Sequence, residues 1–163
     1  VGSGAGFPGI PIGIMRPELS IVLLDSLNKR VTFLNTVASE LGLNNIKAIH
    51  GRAEEESRKK DHRERYEVAT SRAVANMSSL SEFCLPFVKK GGYFIPLKGP
   101  AIEEEITASN KAIKILGGNL ERIIPVNIED SDLRHNLVVV KKLSNTPSLY
   151  PRKAASIQKK PIV

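Results

Sequence analysis

The chain has 163 residues, of which 41% are hydrophobic and 25% are charged, which is typical of one globular domain. No apolar run approaches the roughly 20 residues that a membrane-spanning helix needs. The single cysteine, Cys84, excludes an internal disulfide and a multi-cysteine metal site, and it favours a cytoplasmic location. With 24 Lys and Arg against 17 Asp and Glu, the net charge of +7 favours a polyanionic partner, nucleic acid before a membrane surface.

The first residues of the chain are rich in glycine, at Gly2, Gly4, Gly6 and Gly9. Glycine adopts positive φ easily and lets the backbone approach a ligand closely. Apolar residues with helical spacing follow, so the segment predicts a tight turn into a short helix that ends before Arg16. Such a turn normally follows about four or five apolar residues of a strand. Val1 is therefore expected to end a strand that begins upstream, and the chain is expected to be part of a longer protein.

A buried strand is predicted over 20–24, and Asp25 follows it. In nucleotide-binding α/β folds an acid in this place binds a pair of ribose hydroxyls. The glycine spacing G-x-G-x-x-G also matches the dinucleotide fingerprint, so NAD or FAD is an alternative ligand. Pro8 and Pro11 argue against it, because proline offers no N–H to a pyrophosphate. S-adenosylmethionine has no phosphate and does not need these donors, and a loop that binds nothing is the third possibility.

Strands and helices alternate along the chain until its end. Helices are predicted over 27–41, 80–88 and 103–116, and strands over 46–50, 66–70, 93–97, 120–128 and 137–141. The two successive strands at the end predict an antiparallel hairpin on a mostly parallel sheet, with the order 3-2-1-4-5-7-6 of class I methyltransferases. The segment 55–65 is expected to be an exposed loop or short helix, and 130–135 a charged turn. A methyltransferase domain over 1–142 is predicted, followed by an irregular basic tail over 143–163, which either tracks phosphates or is disordered.

Two details of the predicted helices concern caps and core. Asp25 and Ser26 are expected to cap the helix over 27–41, which Gly42 ends. Its buried face is predicted from the i, i+3/i+4 spacing of Leu27, Val31, Leu34, Ala38 and Leu41. Cys84 lies among apolar residues and is predicted to be part of the core rather than a nucleophile.

Cations fall at predicted strand ends and in first turns of helices: Lys29, Arg30, Arg52, Arg72, Lys98 and Arg134. They are candidates for ligand contacts because ligands bind at such strand ends, although solvated charges and structural ion pairs are the alternatives. The three histidines are scattered without metal-ligand spacing, so no metal site is predicted. A cationic site without a general base suits guanine N7, which carries a lone pair and no proton and is most open in unpaired RNA.

Several segments resemble, in order, the signature of the ribosomal small-subunit methyltransferase G family, once called glucose-inhibited division protein B. They are residues 2–11, 24–30, 52–54, 71–73 and 97–99, and residues 150–153 and 159–162 resemble the tail of Gram-positive members. The resemblance covers essentially the whole chain. Two departures are that the first strand and N-terminal helices of the family are absent, and that 154–158 replaces a linker richer in Gly and Pro.

The resemblance implies a Rossmann-like class I methyltransferase that transfers a methyl group from S-adenosylmethionine to N7 of a guanine in 16S rRNA of the small ribosomal subunit. A cytoplasmic monomer without membrane contact is predicted. The predicted cofactor contacts are Gly2, Gly4, Gly6, Phe7, Asp25 (ribose), Ala53 and Glu54 (adenine), and Arg72 (methionine end). Arg72 and Lys98 are predicted to be catalytic, and the predicted RNA contacts are Lys29, Arg30, Arg52, Lys98 and Arg134. A nicotinamide-dinucleotide oxidoreductase and a non-catalytic RNA-binding protein remain the alternatives.

Overall fold

The computed structural model describes residues 1–72, 74–127 and 134–163, which form two compact units, Val1–Ala53 and Glu54–Val163. Ala73, Ile128 and most of the predicted turn at 130–135 lie outside the described residues. The helices are α1 (Gly9–Met15), α2 (Asn28–Glu40), α3 (Ala53–Glu56), α4 (Met77–Cys84), α5 (Glu103–Ile115) and α6 (Ala154–Lys159). The strands are β1 (Ile21–Asp25), β2 (Ile46–His50), β3 (Tyr66–Arg72), β4 (Val88–Lys98), β5 (Gly118–Asn127) and β6 (Arg134–Lys142).

The first unit packs α1 and α2 against two parallel strands, with β1 and β2 paired from Ile21↔Ile46 to Asp25↔His50. Helix α1 approaches the strands so closely that only glycine is accommodated at two positions. A Cβ at Gly9 would lie 2.3 Å from Leu23 Cδ2, and one at Gly13 would lie 2.5 Å from Ile46 Cδ1. These glycines therefore serve helix–strand packing rather than ligand binding.

Helix α2 is shorter than predicted, and this explains two errors in its predicted apolar face. Val31, Leu34 and Ala38 are buried as expected. Leu27 and Leu41, by contrast, are 51% and 56% exposed, because both residues flank the helix and lie outside its buried stripe. Apolar spacing alone extended the predicted helix by one residue at each end.

The ends of α2 differ from each other in how well the sequence predicts them. The predicted N-cap at Asp25-Ser26 is wrong in position, since Leu27 is the N-cap and has no capping side chain, although Asp25 Oδ1 accepts from Leu27 N just ahead of the helix. The predicted stop at Gly42 is confirmed: this residue has φ +65°, and Leu43 N donates to Ala38 O at 2.8 Å.

The second unit contains a four-stranded sheet in the order β3-β4-β6-β5. Strands β3 and β4 are parallel, and β6 is antiparallel to both β4 and β5. The predicted order counts the strand expected upstream of Val1 as strand 1, so β1 to β6 correspond to its strands 2 to 7. The observed neighbours then agree with its 4-5-7-6 part, and the β1–β2 pair agrees with its 3-2 part. Cys84 is fully buried beside this sheet, where burial raises the pKa of its thiol to about 11. Its predicted core role is confirmed.

Two boundaries in the second unit differ from the predictions. The helix predicted over 80–88 is α4, which starts earlier because Asn76 Oδ1 accepts a hydrogen bond from Ser79 N at 3.0 Å. A 3-10 turn at Leu85–Phe87 follows. Strand β4 starts at Val88, ahead of the predicted start at 93, and so includes the Lys-Lys-Gly-Gly stretch. Gly92 is needed there because a Cβ would lie 2.4 Å from Glu67 O.

Two segments are more buried or more ordered than the sequence predicts. Glu56 and Ser57, in the segment expected to be an exposed loop or short helix, are buried. The tail, expected to be irregular, carries α6, and Ile157 on this helix is fully buried. None of the described helices combines the length and the apolar character that a membrane span requires.

Candidate functional site

The glycine turn ahead of α1 is an unusual stretch of backbone. Gly2, Gly4 and Gly6 have φ of +66°, +55° and +100°, a region that other residues rarely adopt. Ser3 anchors the turn to the end of β1, since its N and Oγ both donate to Leu24 O, at 3.1 and 3.3 Å. Gly6 N donates to Ser3 O at 2.7 Å and closes the turn.

Gly4 and Gly6 differ in what their missing side chains leave room for. A Cβ at Gly4 would meet nothing within 4 Å, so a ligand has room to approach the backbone there. A Cβ at Gly6 would lie 2.4 Å from Ile10 Cδ1 and 3.0 Å from Leu34 Cδ2, so this glycine faces the core. The geometry therefore supports a direct cofactor contact at Gly4 and an indirect one at Gly6.

Asp25 is 2% exposed and lies at the centre of the hydrogen bonds around the turn. Its Oδ2 accepts from Gly4 N at 2.8 Å and its Oδ1 accepts from Leu27 N at 3.0 Å. Arg30 Nη1 lies 3.6 Å from Oδ2. The carboxylate thus connects the glycine turn to the start of α2. Its predicted ribose contact stays a prediction, and the structure adds a hydrogen bond to the glycine turn that the sequence did not indicate.

The start of α1 shows which kind of ligand this turn suits. Ile10 N donates to Gly6 O at 2.7 Å, Ile12 N donates to Pro8 O at 3.1 Å, and Pro11 has no N–H. A pyrophosphate needs several free donors in the first turn of a helix, where Ile10 N is already bonded and Pro11 has no N–H. A ligand without phosphates, such as S-adenosylmethionine, is therefore compatible with the turn.

The carboxyl ends of β1 and β2 bring further predicted residues to the same edge of the first unit. Asp25 pairs with His50, and Gly51 N donates to Asp25 O at 3.0 Å. Arg52 and Ala53 follow directly, with the Arg52 side chain exposed. Lys29 and Phe7 are also exposed. Asp25 thus contacts Gly4 and Arg30 directly, and Arg52 and Ala53 lie just after the end of the paired strand β2.

One edge of the sheet in the second unit collects three predicted cations. Arg72 ends β3 and pairs with Leu97, and Lys98 follows at the end of β4. Strand β6 runs in the opposite direction, so its first residue, Arg134, belongs to the same edge. Arg72 and Arg134 are exposed. Glu54, predicted to contact adenine, is 8% exposed at the start of this unit.

Lys98 differs from the other two cations because its ammonium is held inside the protein. Its side chain is 14% exposed, and Nζ lies 2.7 Å from Glu105 Oε1 and donates to Ala75 O at 3.0 Å. Glu105 Oε1 also accepts from Met77 N, so the pair connects β4, α4 and α5. This geometry favours a positioning role for Lys98, while its predicted catalytic and RNA contacts stay predictions.

Sequence reasoning missed Ser3 and Glu105. Ser3 stands inside the glycine stretch, where its backbone N–H and hydroxyl bond to a strand 21 residues away. Glu105 is one of three glutamates in the first turn of α5, and only the fold distinguishes it from its neighbours. No local pattern marks either residue.

The family profile described as rRNA small subunit methyltransferase G matches residues 1–138. The chain belongs to this family. Among curated relatives of that name, the Clostridium botulinum protein (strain ATCC 19397) is 59% identical over 162 residues, which cover 99% of this chain and 68% of the relative. The protein of C. botulinum strain Alaska E43 is 63% identical with the same coverage. That of Clostridium novyi is 57% identical over 163 residues, 100% of this chain and 67% of the relative.

Solved structures confirm the fold. An S-adenosylmethionine-dependent methyltransferase of Methanosarcina mazei superposes with a TM-score of 0.63 at 12% identity, covering 87% of this chain and 90% of that one. TYW2 of M. jannaschii, solved in complex with AdoMet, gives 0.64 at 13% identity, covering 86% and 66%. The predicted Rossmann-like class I methyltransferase fold is therefore correct for this family member. Among the described residues, no group of three or more His, Cys, Asp or Glu could hold a metal ion.

Proposed function

We propose that this chain transfers the methyl group of S-adenosylmethionine to N7 of a guanine in 16S rRNA. Membership of the rRNA small subunit methyltransferase G family, at 57% to 63% identity to three curated members over nearly the whole chain, carries this conclusion. S-adenosylmethionine, when bound, supplies a methyl group on a positively charged sulfur. Neither the family match nor these structural neighbours support a nicotinamide-dependent oxidoreductase or a non-catalytic RNA-binding protein.

The glycine turn and the strand ends of the first unit are assigned to the cofactor. The backbone at Gly2 and Gly4, with open space above Gly4, would hold the ligand beside Phe7. Asp25 fixes Gly4 N and Leu27 N and so shapes this backbone, in addition to its proposed ribose contact. A pre-shaped turn lowers the entropic cost of binding, because its residues are already ordered.

The remaining assignments concern the adenine, the methionine end and the RNA. Ala53 and Glu54 are assigned to adenine and Arg72 to the methionine end of the cofactor. Lys29, Arg30, Arg52 and Arg134 are exposed and are assigned to RNA, where arginine suits both phosphates and the O6/N7 edge of guanine. N7 has a lone pair and no proton, so the reaction requires alignment and exclusion of water rather than a general base.

Methylation assays test the proposal. The protein is incubated with methyl-labelled S-adenosylmethionine and either deproteinised 16S rRNA or 30S subunits from a strain that lacks the endogenous modification. The expected product is N7-methylguanosine after digestion of the RNA. Absence of this product from both substrates, with S-adenosylhomocysteine binding intact by calorimetry, would overturn the function. Binding of NAD(H) in place of S-adenosylhomocysteine would instead favour the oxidoreductase.

A monomeric state and a cytoplasmic location are finer proposals that accompany this function. A substrate that is ribosomal RNA supports the location. Light scattering coupled to size-exclusion chromatography is expected to give a mass near the 17.8 kDa of one chain. A mass of twice that value or more would contradict the monomer.

A further inference from the structure

The net positive charge of the chain comes from two segments that are far apart in sequence. We call residues 57–65 the arginine loop and residues 143–163 the C-terminal segment. The arginine loop has five Lys or Arg and two acids, and the C-terminal segment has four Lys or Arg and no acid. The rest of the chain has 15 of each sign. The net charge of +7 is therefore the charge of these two segments alone.

The structure joins the two segments through two arginines. Arg58 Nε donates to Pro151 O at 3.0 Å, and its Nη2 donates to Leu149 O at 3.0 Å. Arg63 Nη1 donates to Tyr150 O at 3.0 Å, and its Nη2 donates to Thr146 O at 2.8 Å. All these acceptors are neutral main-chain carbonyls, so both guanidinium charges remain uncompensated by these bonds.

Further contacts fix the C-terminal segment to its own unit. Arg152 forms a bidentate pair with the buried carboxylate of Glu82, with Nη2 2.7 Å from Oε2, and its Nη1 donates to Lys160 O at 3.0 Å. Ile157 is fully buried on α6. Near its start, Thr146 N donates to Glu64 Oε1 at 2.7 Å. Just before the segment, Lys142 Nζ, at the end of β6, donates to Leu85 O at 2.7 Å and lies 3.4 Å from the same Glu64 oxygen. Charges on a segment held this way keep fixed positions.

Most cations of these segments lack an acid partner in the described part of the chain. Lys59 pairs with Glu56 and Arg152 with Glu82. The cations that form no ion pair with another described residue are Arg58, Lys60, Arg63, Arg65, Lys153, Lys159 and Lys160. All except Arg63 are exposed. The bonds from Arg58 and Arg63 hold the two segments next to each other, and neighbouring like charges repel one another, a repulsion that a polyanion relieves.

We infer that the arginine loop and the C-terminal segment together form a second RNA-binding surface, which contacts the phosphate backbone of the 16S rRNA substrate. This inference rests on the proposed function for the identity of the RNA. Phosphate contacts of this kind position a nucleic acid without reading its sequence. The surface adds affinity and orientation, and the chemistry of methyl transfer does not depend on it.

The test removes three exposed charges while retaining the length of the side chains. The variant is K153Q/K159Q/K160Q, and the matched control is K47Q/K111Q/K114Q, which removes three exposed lysines from β2 and α5. Binding of deproteinised 16S rRNA to the 163-residue chain is measured over a range of KCl concentrations. S-adenosylhomocysteine affinity, the KM for RNA and kcat at saturating RNA are measured beside it.

Each lost phosphate contact flattens the slope of log K against log salt by about 0.7 to 0.9, so the variant is expected to flatten it by about 2 to 3. Its RNA Kd and KM are expected to rise roughly tenfold or more at moderate salt, with kcat and cofactor affinity unchanged. An unchanged slope and Kd, or an equal loss in the control, would overturn the surface. If the wild type binds the RNA but methylates nothing, the proposed function fails, and the binding comparison still decides the surface.

Discussion

The double hydrogen bond of Asp25 leads to a prediction that separates two roles of this residue. In Asp25→Asn the side chain keeps one acceptor oxygen and replaces the other with an NH2 donor. Either Gly4 N or Leu27 N then loses its acceptor, and the 3.6 Å approach of Arg30 loses its charge partner. A hydrogen bond to a charged group contributes about 1.5 to 3 kcal/mol.

This loss can be measured at the two amides themselves. Hydrogen exchange followed by NMR, without cofactor, is expected to show at least one of the Gly4 and Leu27 amides exchanging roughly ten- to hundredfold faster in Asp25→Asn. Ser26→Ala is the matched control, because Ser26 is the exposed neighbour. S-adenosylhomocysteine affinity is expected to fall in Asp25→Asn as the turn loosens.

The combination of the two measurements gives the refuting result. If both amides keep wild-type protection while cofactor affinity falls, Asp25 acts by touching the ligand and does not hold the turn. If protection and affinity are both unchanged, neither role applies.

Three further predictions concern the second unit. Arg72→Ala is expected to keep the fold, as judged by circular dichroism. Its kcat is expected to fall by about a hundredfold, because removal of one positioned hydrogen-bond donor has an effect of this size in other enzymes. Wild-type turnover would contradict the place of Arg72 at the methionine end. Burial lowers the pKa of Lys142 from 10.5 to about 8, so the folded state binds fewer protons than the unfolded state between these values. The free energy of unfolding is therefore expected to rise with pH across this window, by up to about 3 kcal/mol. Urea titrations at several pH values should show this rise in the wild type and a smaller dependence of the free energy of unfolding on pH in Lys142→Met. The same pH dependence in both proteins would contradict the prediction. Arg58→Gln with Arg63→Gln is expected to speed proteolysis of the C-terminal segment, and wild-type resistance would show that the carbonyl bonds do not hold it.

The sequence predicted the features that local chemistry determines. The strand ends that carry Asp25 and Lys98, the stop at Gly42 and the neighbours in both sheets follow from apolar runs, glycines and alternating elements. The glycine turn and the acid after β1 were found because their spacing reports a backbone geometry. The family resemblance extended these predictions to the reaction.

The features that escaped prediction depend on contacts between distant residues. Arg58 and Arg63 bond to carbonyls 83 to 93 residues away, and main-chain carbonyls carry no sequence signal. The partner of Lys98 is one of three consecutive glutamates. For the same reason the tail looked irregular: its order comes from Arg152, Ile157 and their distant partners rather than from helix propensity.

The bonds from Arg58 and Arg63 have a consequence for how the C-terminal segment can change. Both arginines bind main-chain carbonyl oxygens. Their hydrogen bonds therefore do not depend on the side chains between Thr146 and Pro151, which can change in identity without weakening these bonds. Lysine at either arginine would not substitute, because one ammonium cannot span two carbonyls as a planar fork does. Divergence of this stretch around two constant arginines is the pattern expected in related chains.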